Sequence, residues 1–261
     1  MAKEVTVYDL EGKAIGKVDV PACFGVPVRP DLIKRAVVAV QSHSFQSQSR
    51  NRLAGKRTTA ESMGVGRGIA RIPRVKGERY PKANLAAFAP GTVKGRLAFP
   101  PSSMRVVRKE INRKELRLAM QSALAATCSI DHVKQRGHRI KPDRELPIVV
   151  SDQIEQVTKS SEANTVLRSL DVWEDVARAS NRGLRAGRGS VRGRSSKNSI
   201  SVLFIIGKRQ GAEKAFRNFP GVKVVDVTSL NVNDLAPGTH AGRLTVWSES
   251  AIRSIQGRFG G

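Results

Sequence analysis

The sequence is poor in aromatic residues and in cysteine. Aromatic residues make up 5% of the 261 positions, so we expect a core built mainly from aliphatic side chains. Cys23 and Cys128 stand far apart, and neither has a second cysteine nearby at ligand spacing. This pattern argues against a disulfide framework and suits a reducing compartment. We expect both cysteines to be small buried residues.

Long hydrophobic runs are also missing. No run approaches the roughly 18 apolar residues that a membrane-spanning helix needs. The first residues lack the apolar region of a secretion signal, so we expect the protein to remain in the cytoplasm; they are MAKEVTVYDLEGK.

Signatures of catalysis are absent as well. Gly55-Lys56 resembles the end of a phosphate-binding P-loop, but Arg50 replaces its first glycine and Arg57 replaces the residue that binds magnesium. The histidines have no partners at metal-ligand spacing and are expected to be surface or core residues; they are His43, His132, His138 and His240. The sequence therefore predicts no enzyme, no cofactor and no metal site.

Acidic residues are few relative to basic ones. Lysine and arginine number 46, against 22 aspartates and glutamates, which gives a formal net charge of +24. A charge of this size favours nucleic acid as the partner, or less often an anionic membrane surface, and it does not predict a fold.

Residues 50–101 are rich in glycine, proline, arginine and lysine, and they show neither helical nor strand periodicity. Such a segment buries too little apolar surface to offset the entropy of ordering itself, and loops beyond roughly 15 residues are usually functional or disordered. Twelve cations outnumber two acids, Glu61 and Glu78. We therefore expect a polyanion to order it. The cations are Arg50, Arg52, Lys56, Arg57, Arg67, Arg71, Arg74, Lys76, Arg79, Lys82, Lys94 and Arg96.

Helical and strand patterns flank this segment. Residues 5–9 and 14–18 predict a hairpin, and Pro30-Asp31 opens a helix. Asn112 and Glu115 match a capping box before a helix with one apolar face. Because defined helices bracket the segment, we expect a loop within one domain and not a linker between two.

From Pro147 onward, short apolar runs alternate with helical segments. Predicted strands cover 147–150, 200–206, 222–227 and 244–247; predicted helices cover 161–170, 172–179, 212–216, 232–235 and 248–255. This alternation is typical of a mostly parallel sheet covered on both faces. We predict a single α/β domain over 1–261, with a mostly parallel sheet flanked by helices and one long extended loop at about 47–101.

A second basic segment lies within 176–212, which contains no acidic residue. Its densest part is NRGLRAGRGSVRGRSSK. Glycine leaves backbone N–H groups open and arginine binds phosphate through a planar fork, so this pattern favours a second phosphate-binding loop over a solvated mobile one. Its candidate residues are Arg182, Arg185, Arg188, Arg192, Arg194 and Lys197.

Three further cations occupy the first turn of the helix after Asn112, where the helix dipole disfavours positive charge. A phosphate there would relieve the conflict; simple solvation, with compensation by Glu110 and Glu115, is the alternative. The cations are Arg113, Lys114 and Arg117.

The partner is expected to be a large folded RNA. Tyr80, Phe88 and Phe99 are too few to stack successive bases, so affinity should come from phosphate contacts. The loop has two arms of about 25 residues. At roughly 3.3 Å per residue, its tip could reach on the order of 80 Å from the body.

Four stretches resemble the fourth large-subunit ribosomal protein, the universal "L-four" family, in its archaeal and eukaryotic branch. They are LAGKRTTAESMGVGRGIARIPRVKG, INRKELRLAMQSALAAT, RAGRGSVRGR and AFRNFPGVKVVDVTSLNVNDLAPGTHAGRLTVWSESA. The resemblance covers nearly the whole chain. Eukaryotic members carry a long C-terminal extension that is absent after Gly261, so an archaeal member is expected.

The resemblance implies a structural constituent of the large ribosomal subunit, in the cytoplasm. Its body would lie on the outside of the subunit, and its loop would enter the rRNA and help form the constriction of the polypeptide exit tunnel. Arg67, Arg71, Arg74 and Lys76 would lie in or near buried rRNA contacts, with the loop tip around residues 71–83. Its partners would be rRNA, neighbouring proteins that include the "L-twenty-two" family, and the nascent peptide.

Two other functions remain open from the residues alone. One is an RNA-processing or RNA-modifying enzyme with a basic substrate arm, which should bind a nucleotide or methyl donor. The other is a DNA-compacting protein, which should bind duplex DNA as tightly as rRNA.

Overall fold

The computed structural model describes residues 3–142, 144–208 and 210–259. The chain divides into two compact units: the body, from residues 1–43 and 109–261, and the inserted unit, residues 44–108. The strands are β1 (Lys3–Tyr8), β2 (Ala14–Val20), β3 (Ala60–Glu61), β4 (Arg74–Val75), β5 (Ile148–Val150), β6 (Gly183–Leu184), β7 (Ser196–Lys197), β8 (Leu203–Ile206), β9 (Lys223–Asp226) and β10 (Thr245–Ser248).

Most helices of the described residues lie in the predicted segments, but those at Ile130–Gln135 and Arg188–Val191 were not predicted. The helices are α1 (Pro30–Ser42), α2 (Arg113–Thr127), α3 (Ile130–Gln135), α4 (Ser160–Ser169), α5 (Trp173–Ser180), α6 (Arg188–Val191), α7 (Ala212–Phe216), α8 (Val232–Leu235) and α9 (Glu249–Phe259). Short 3-10 turns cover Ala22–Gly25, Asp152–Gln156 and Pro237–Thr239. Among the described residues, no helix combines the length and the apolar composition that crossing a bilayer requires.

The body is built on a six-stranded sheet with the order β2-β1-β5-β10-β8-β9. Strand β2 is antiparallel to β1, and every other neighbouring pair is parallel. The prediction of a mostly parallel sheet is therefore confirmed. The N-terminal hairpin joins this sheet, because Val7 of β1 pairs with Val149 of β5.

Both faces of the sheet are covered. Successive strand residues point to opposite faces, and Val149 and Trp247 belong to one apolar cluster while Ile148, Val150 and Phe204 belong to another. Helices α1, α2, α8 and α9 pack in the first cluster, and α3, α4, α5 and α7 pack in the second. Burial on both faces explains why β5 and β8 are continuously apolar.

The helix ends differ from the predictions at one position. Pro30 is the first residue of α1, and the Ser248 Oγ accepts a hydrogen bond from the Ala251 N–H at 3.3 Å at the start of α9, both as predicted. The prediction of a capping box at Asn112 is wrong, because the Asn112 side chain makes no capping hydrogen bond. The Glu115 carboxylate instead forms an ion pair with Arg35 of α1 at 2.5 Å, and this charge-assisted contact replaces the reach back to the backbone.

The two cysteines differ in their environments. Cys23 is buried as predicted, and burial raises the pKa of its thiol to about 11. Cys128 is only partly buried, against the prediction that both would be core residues.

Helix α2 offers a direct test of this packing. Leu124 is fully buried, whereas Leu118 on the same helix is 46% exposed. We expect Leu124→Ala to lower the free energy of unfolding by about 2–5 kcal/mol, because it removes apolar contacts and leaves a cavity. Leu118→Ala, the matched control, should cost about 0.5 kcal/mol or less in the same urea titration. Equal losses would contradict the burial of Leu124 against the core.

Candidate nucleic-acid interface

The inserted unit has no core. The structure describes all of residues 44–108, and none of them is buried. Large apolar side chains are strongly exposed there, including Val93 at 90%, Phe99 at 95% and Val106 at 84%. By contrast, every residue of the two apolar clusters belongs to the body. The inserted unit therefore lacks the apolar burial that usually stabilises a folded segment.

Most cations of the inserted unit point into solvent. Arg50, Arg74 and Arg96 are partly buried. The Arg74 Nη1 donates to the Asn84 carbonyl at 2.9 Å, and the Arg96 guanidinium lies 6.0 Å from the centre of the Phe88 ring. The other predicted cations of this unit are exposed; they are Arg52, Lys56, Arg57, Arg67, Arg71, Lys76, Arg79, Lys82 and Lys94.

Local backbone contacts nevertheless organise this unit. Strands β3 and β4 form an antiparallel pair, which the sequence periodicity did not predict, and Lys76 beside it forms an ion pair with Glu61 at 2.6 Å. The backbone at Gly55, with φ of +77°, passes so close to Gly95 that a Cβ on Gly55 would lie 2.4 Å from the Gly95 carbonyl oxygen. Only glycine fits that crossing.

The second basic segment forms a hairpin. Strands β6 and β7 pair antiparallel, with Gly183 opposite Lys197, and α6 lies between them. Leu184 and Val191 are exposed by 86% and 91%. The predicted loop thus has regular structure at its base, and we call residues 181–200 the basic hairpin. Its candidate cations are all exposed: Arg182, Arg185, Arg188, Arg192, Arg194 and Lys197.

A buried carboxylate anchors the basic hairpin. Asp175 on α5 is fully buried and accepts hydrogen bonds from the Arg178 Nε at 2.9 Å and the Ser201 Oγ at 2.7 Å. The Arg178 Nη2 also donates to the Ile200 carbonyl at 2.9 Å. These contacts connect the residues that precede the hairpin with those that follow it.

His138 completes this network from a distant part of the chain. Its Nδ1 lies 3.0 Å from the Asp175 Oδ2, and the Arg139 N–H donates to the Asp175 Oδ1 at 3.0 Å. Sequence reasoning missed this pair, because 37 positions separate His138 from Asp175 and no spacing motif links them.

The electrostatics of the network follow from burial and hydrogen bonding. Burial alone would raise the pKa of Asp175, but hydrogen bonds from His138, Arg178 and Ser201 outweigh it and hold the pKa at about 2. Burial lowers the pKa of His138. At neutral pH, the carboxylate is therefore ionised and the neutral imidazole donates through Nδ1.

This cluster does not have the geometry of a catalytic triad. The Ser201 hydroxyl bonds to the carboxylate and not to the imidazole, and the His138 Nε2 has no hydrogen-bond partner among the described residues. A nucleophilic serine needs its base within hydrogen-bond reach. The cluster is therefore arranged to hold backbone segments together.

The carboxyl edge of the parallel strands is filled by the protein itself. Ligands of open α/β sheets usually bind in a crevice at this edge. Here the buried Glu155 carboxylate accepts bonds from the Gly207 N–H at 2.7 Å, the Lys208 N–H at 3.2 Å and the Ser248 hydroxyl at 2.8 Å. An internal anion therefore occupies the donors that a phosphate would use. Within the described ranges, no three His, Cys, Asp or Glu side chains converge as a metal site requires.

The cations at the start of α2 are divided between solvent and an internal contact. Arg113 and Lys114 are exposed. The Arg117 Nη2 donates to the carbonyl of Phe259, the last residue of α9, at 3.1 Å. Arginine near a helix C-terminus is favourable, so Arg117 contributes to the packing of α9.

Comparison with known proteins identifies the family of this chain. The model of the ribosomal protein L4/L1 family matches residues 18–258. The chain belongs to this family. The proteins named large ribosomal subunit protein uL4 from Methanopyrus kandleri and Haloquadratum walsbyi are 43% and 44% identical over 258 and 256 residues. The alignments cover 98% of this chain in both cases, and 99% and 100% of those proteins.

A third archaeal uL4 protein, from Methanosphaera stadtmanae, is 41% identical over 260 residues, which cover 99% of this chain and 98% of its own length. These comparisons confirm both the resemblance to the L-four family and its archaeal branch.

The network around Asp175 predicts how stability depends on pH. The folded-state pKa values of His138 and Asp175 both lie below their ordinary values of 6.5 and 3.8, so folding favours the less protonated form of each. Their contribution is complete above about pH 6.5, decreases as His138 would protonate in the unfolded chain, and decreases again between about pH 4 and 2.

We expect Asp175→Asn to lower the free energy of unfolding by about 3–5 kcal/mol at neutral pH, and to lower it progressively less below pH 4. Glu174→Gln, an exposed acid on the same helix, is the matched control and should change little. Chemical denaturation across this pH range provides the measurement. A constant difference between Asp175→Asn and the parent chain below pH 4 would show that the network does not titrate.

Proposed function

We propose that this chain is a structural, non-catalytic component of the large ribosomal subunit in the cytoplasm, and that it binds large-subunit rRNA through the inserted unit and the basic hairpin. The observation that carries this proposal is the absence of any buried residue in residues 44–108, all of which the structure describes. Family membership, with relatives named as large-subunit proteins, supports it.

The composition of the inserted unit favours RNA as the material that orders it. Its exposed apolar side chains and its local hairpin need an external surface, since exposed apolar patches mark interaction sites. Between residues 50 and 96 the inserted unit has twelve cations and two acids, so the surface that it binds should be anionic. Irregular backbone rich in glycine suits the irregular cavities of folded RNA better than the groove of a duplex.

We assign direct phosphate contacts chiefly to the exposed cations of the inserted unit and of the basic hairpin. Arg113 and Lys114 belong with them, because both are exposed in the first turn of α2. Arg74, Arg96 and Arg117 also have internal contacts, so their roles combine shaping the protein with binding RNA.

We place the tip of the inserted unit, residues 71–83, beside the polypeptide exit tunnel, near a protein of the L-twenty-two family and the nascent peptide. A tight turn supports this assignment. The Tyr80 hydroxyl donates to the Lys76 carbonyl, and the Gly77 backbone, with φ of +106°, packs against the Tyr80 ring. A compact exposed turn of this kind can reach into a narrow passage.

An RNA-modifying enzyme is the alternative function. The arrangement at Ser201 and the occupied crevice at Glu155 both favour the structural role. Binding of a nucleotide or methyl donor at the carboxyl edge of the sheet would favour the enzyme instead.

The first experiment tests the phosphate contacts. We expect the double variant Arg67→Ala, Arg71→Ala to bind large-subunit rRNA more weakly, and to reduce the salt dependence of the affinity by about 1–2 units of slope, because two phosphate contacts are lost. Lys13→Ala, Lys17→Ala is the matched control, since both lysines are exposed and form ion pairs with acids. Titrations at several KCl concentrations provide the slopes. An unchanged slope in the loop variant would contradict the assignment.

The second experiment removes the tip. Deleting residues 60–90 should leave the body folded, because both apolar clusters lie outside the inserted unit, while incorporation into large subunits should fail. Thermal unfolding and sedimentation of assembled subunits measure the two effects. A deletion variant that unfolds would show that these residues belong to the core, and normal incorporation would argue against the proposed role.

A further inference from the structure

The body contains a basic cleft whose lining includes none of the predicted RNA-binding residues. Its volume is about 940 Å³. Two arginines, Arg136 and Arg178, line it together with three of the four histidines in the chain. None of the described residues that line it is acidic. We call this feature the basic cleft.

The charge in the basic cleft is only partly compensated. Arg178 is paired with Asp175, but Arg136 forms no ion pair among the described residues, and its hydrogen bonds go to the neutral carbonyls of Pro237, at 2.8 Å, and His240. Burial, followed by repulsion from Arg178, lowers the pKa of Arg136 to about 10, so it stays charged at neutral pH. An anion in the cleft would relieve this repulsion.

The walls of the basic cleft are held in place. Arg136 fixes the loop at residues 237–240 through the two carbonyl contacts. Gly242, with φ of +87°, packs against the backbone of His132, where a Cβ would lie 2.5 Å from the carbonyl oxygen. The lining also includes Ile200, whose carbonyl accepts a hydrogen bond from the Arg178 Nη2. The cleft is therefore formed without a ligand.

The remaining lining suits more than a simple phosphate. Val28, Pro30 and Ala241 provide apolar surface, and Gln135 and Asn198 provide amide donors and acceptors. The volume lies in the range of about 300–1,000 Å³ that is typical of small-ligand sites. Proteins that read RNA commonly hold single unstacked bases between apolar surfaces and polar groups.

We propose that the basic cleft binds one splayed-out nucleotide of RNA, with its phosphate at Arg136 and Arg178 and its base against Pro30 and Ala241. The cleft includes residues 198–200, directly after β7, so an RNA strand on the basic hairpin can continue into it. This inference rests on the proposed function, because it takes the ligand to be part of an RNA chain.

Imidazole NMR signals of the full chain test this inference with an internal control. His132, His138 and His240 line the basic cleft, whereas His43 does not. Adenosine 5′-monophosphate should shift the signals of the first three and leave His43 unchanged. Inorganic phosphate should bind about tenfold or more weakly, because it cannot use the apolar wall. A short single-stranded RNA should compete at lower concentrations than the mononucleotide, because the basic hairpin adds contacts.

Two variants locate the binding. Ala241→Trp fills the cleft and should abolish the shifts, while Ala177→Trp, at an exposed position of α5 outside the lining, should preserve them. If Ala241→Trp fails to fold, Asn198→Glu places a carboxylate at an exposed lining position and should weaken binding by repulsion.

Three results would overturn the inference. Equal shifts of all four histidines, or no shifts, would exclude the cleft as the site. Equal affinity for phosphate and mononucleotide would reduce it to an anion site. Mononucleotide binding without competition by RNA would assign the cleft to a free nucleotide. Because the readout is mononucleotide binding, it is separate from the rRNA titrations that test the proposed function.

Discussion

The hydrogen-bonded carboxylate of Asp175 is the contact on which the arrangement of the basic hairpin and the basic cleft depends. It joins His138, α5 and Ser201, three segments that are distant in sequence. Through Arg178, it also fixes the residues that lead out of the basic hairpin and one wall of the basic cleft. A single buried anion thus organises a strongly cationic surface, and its low pKa keeps it charged under physiological conditions.

The interior also contains a buried cation, which is stabilised by hydrogen bonds to main-chain carbonyls. Arg243 is almost fully buried and donates to the carbonyls of Ser201 and Asp234, both at 2.9 Å. Burial lowers its pKa to about 10, which leaves it ionised. Main-chain carbonyls therefore compensate the charge of a side chain that is shielded from solvent. Since Ser201 takes part in both networks, the anionic and cationic interiors are mechanically connected.

Local patterns in the sequence were enough to predict most of the architecture. The run Leu203–Ile206 is apolar because both sheet faces are buried there, and proline or serine marked the starts of α1 and α9. Predictions that depend on competition between contacts were less accurate. Asn112 had the right residue type for a capping box, but Arg35, on another helix, drew Glu115 away.

The candidate sites likewise divide into those that local sequence predicts and those that depend on contacts between distant segments. Charge counts identified the exposed cations of the inserted unit and the basic hairpin, because exposed charge is a property of composition. The basic cleft was not predicted, since it depends on residues from separate segments, among them Pro30, Arg136, Ile200 and Ala241. Nothing in the spacing of these residues indicates that they meet. Only the tertiary fold brings them together.

The carboxylate of Glu155 distinguishes this sheet from α/β sheets that bind a ligand at the carboxyl edge of their strands. It is a tethered ligand: its effective concentration at the Gly207 and Lys208 amides is set by the chain and cannot be diluted away. A free phosphate must displace it before it can bind, and must do so against an intramolecular competitor. The Glu155 carboxylate thereby occupies the crevice at the carboxyl edge of the sheet, whereas the exposed cations lie elsewhere, on the basic hairpin and the inserted unit.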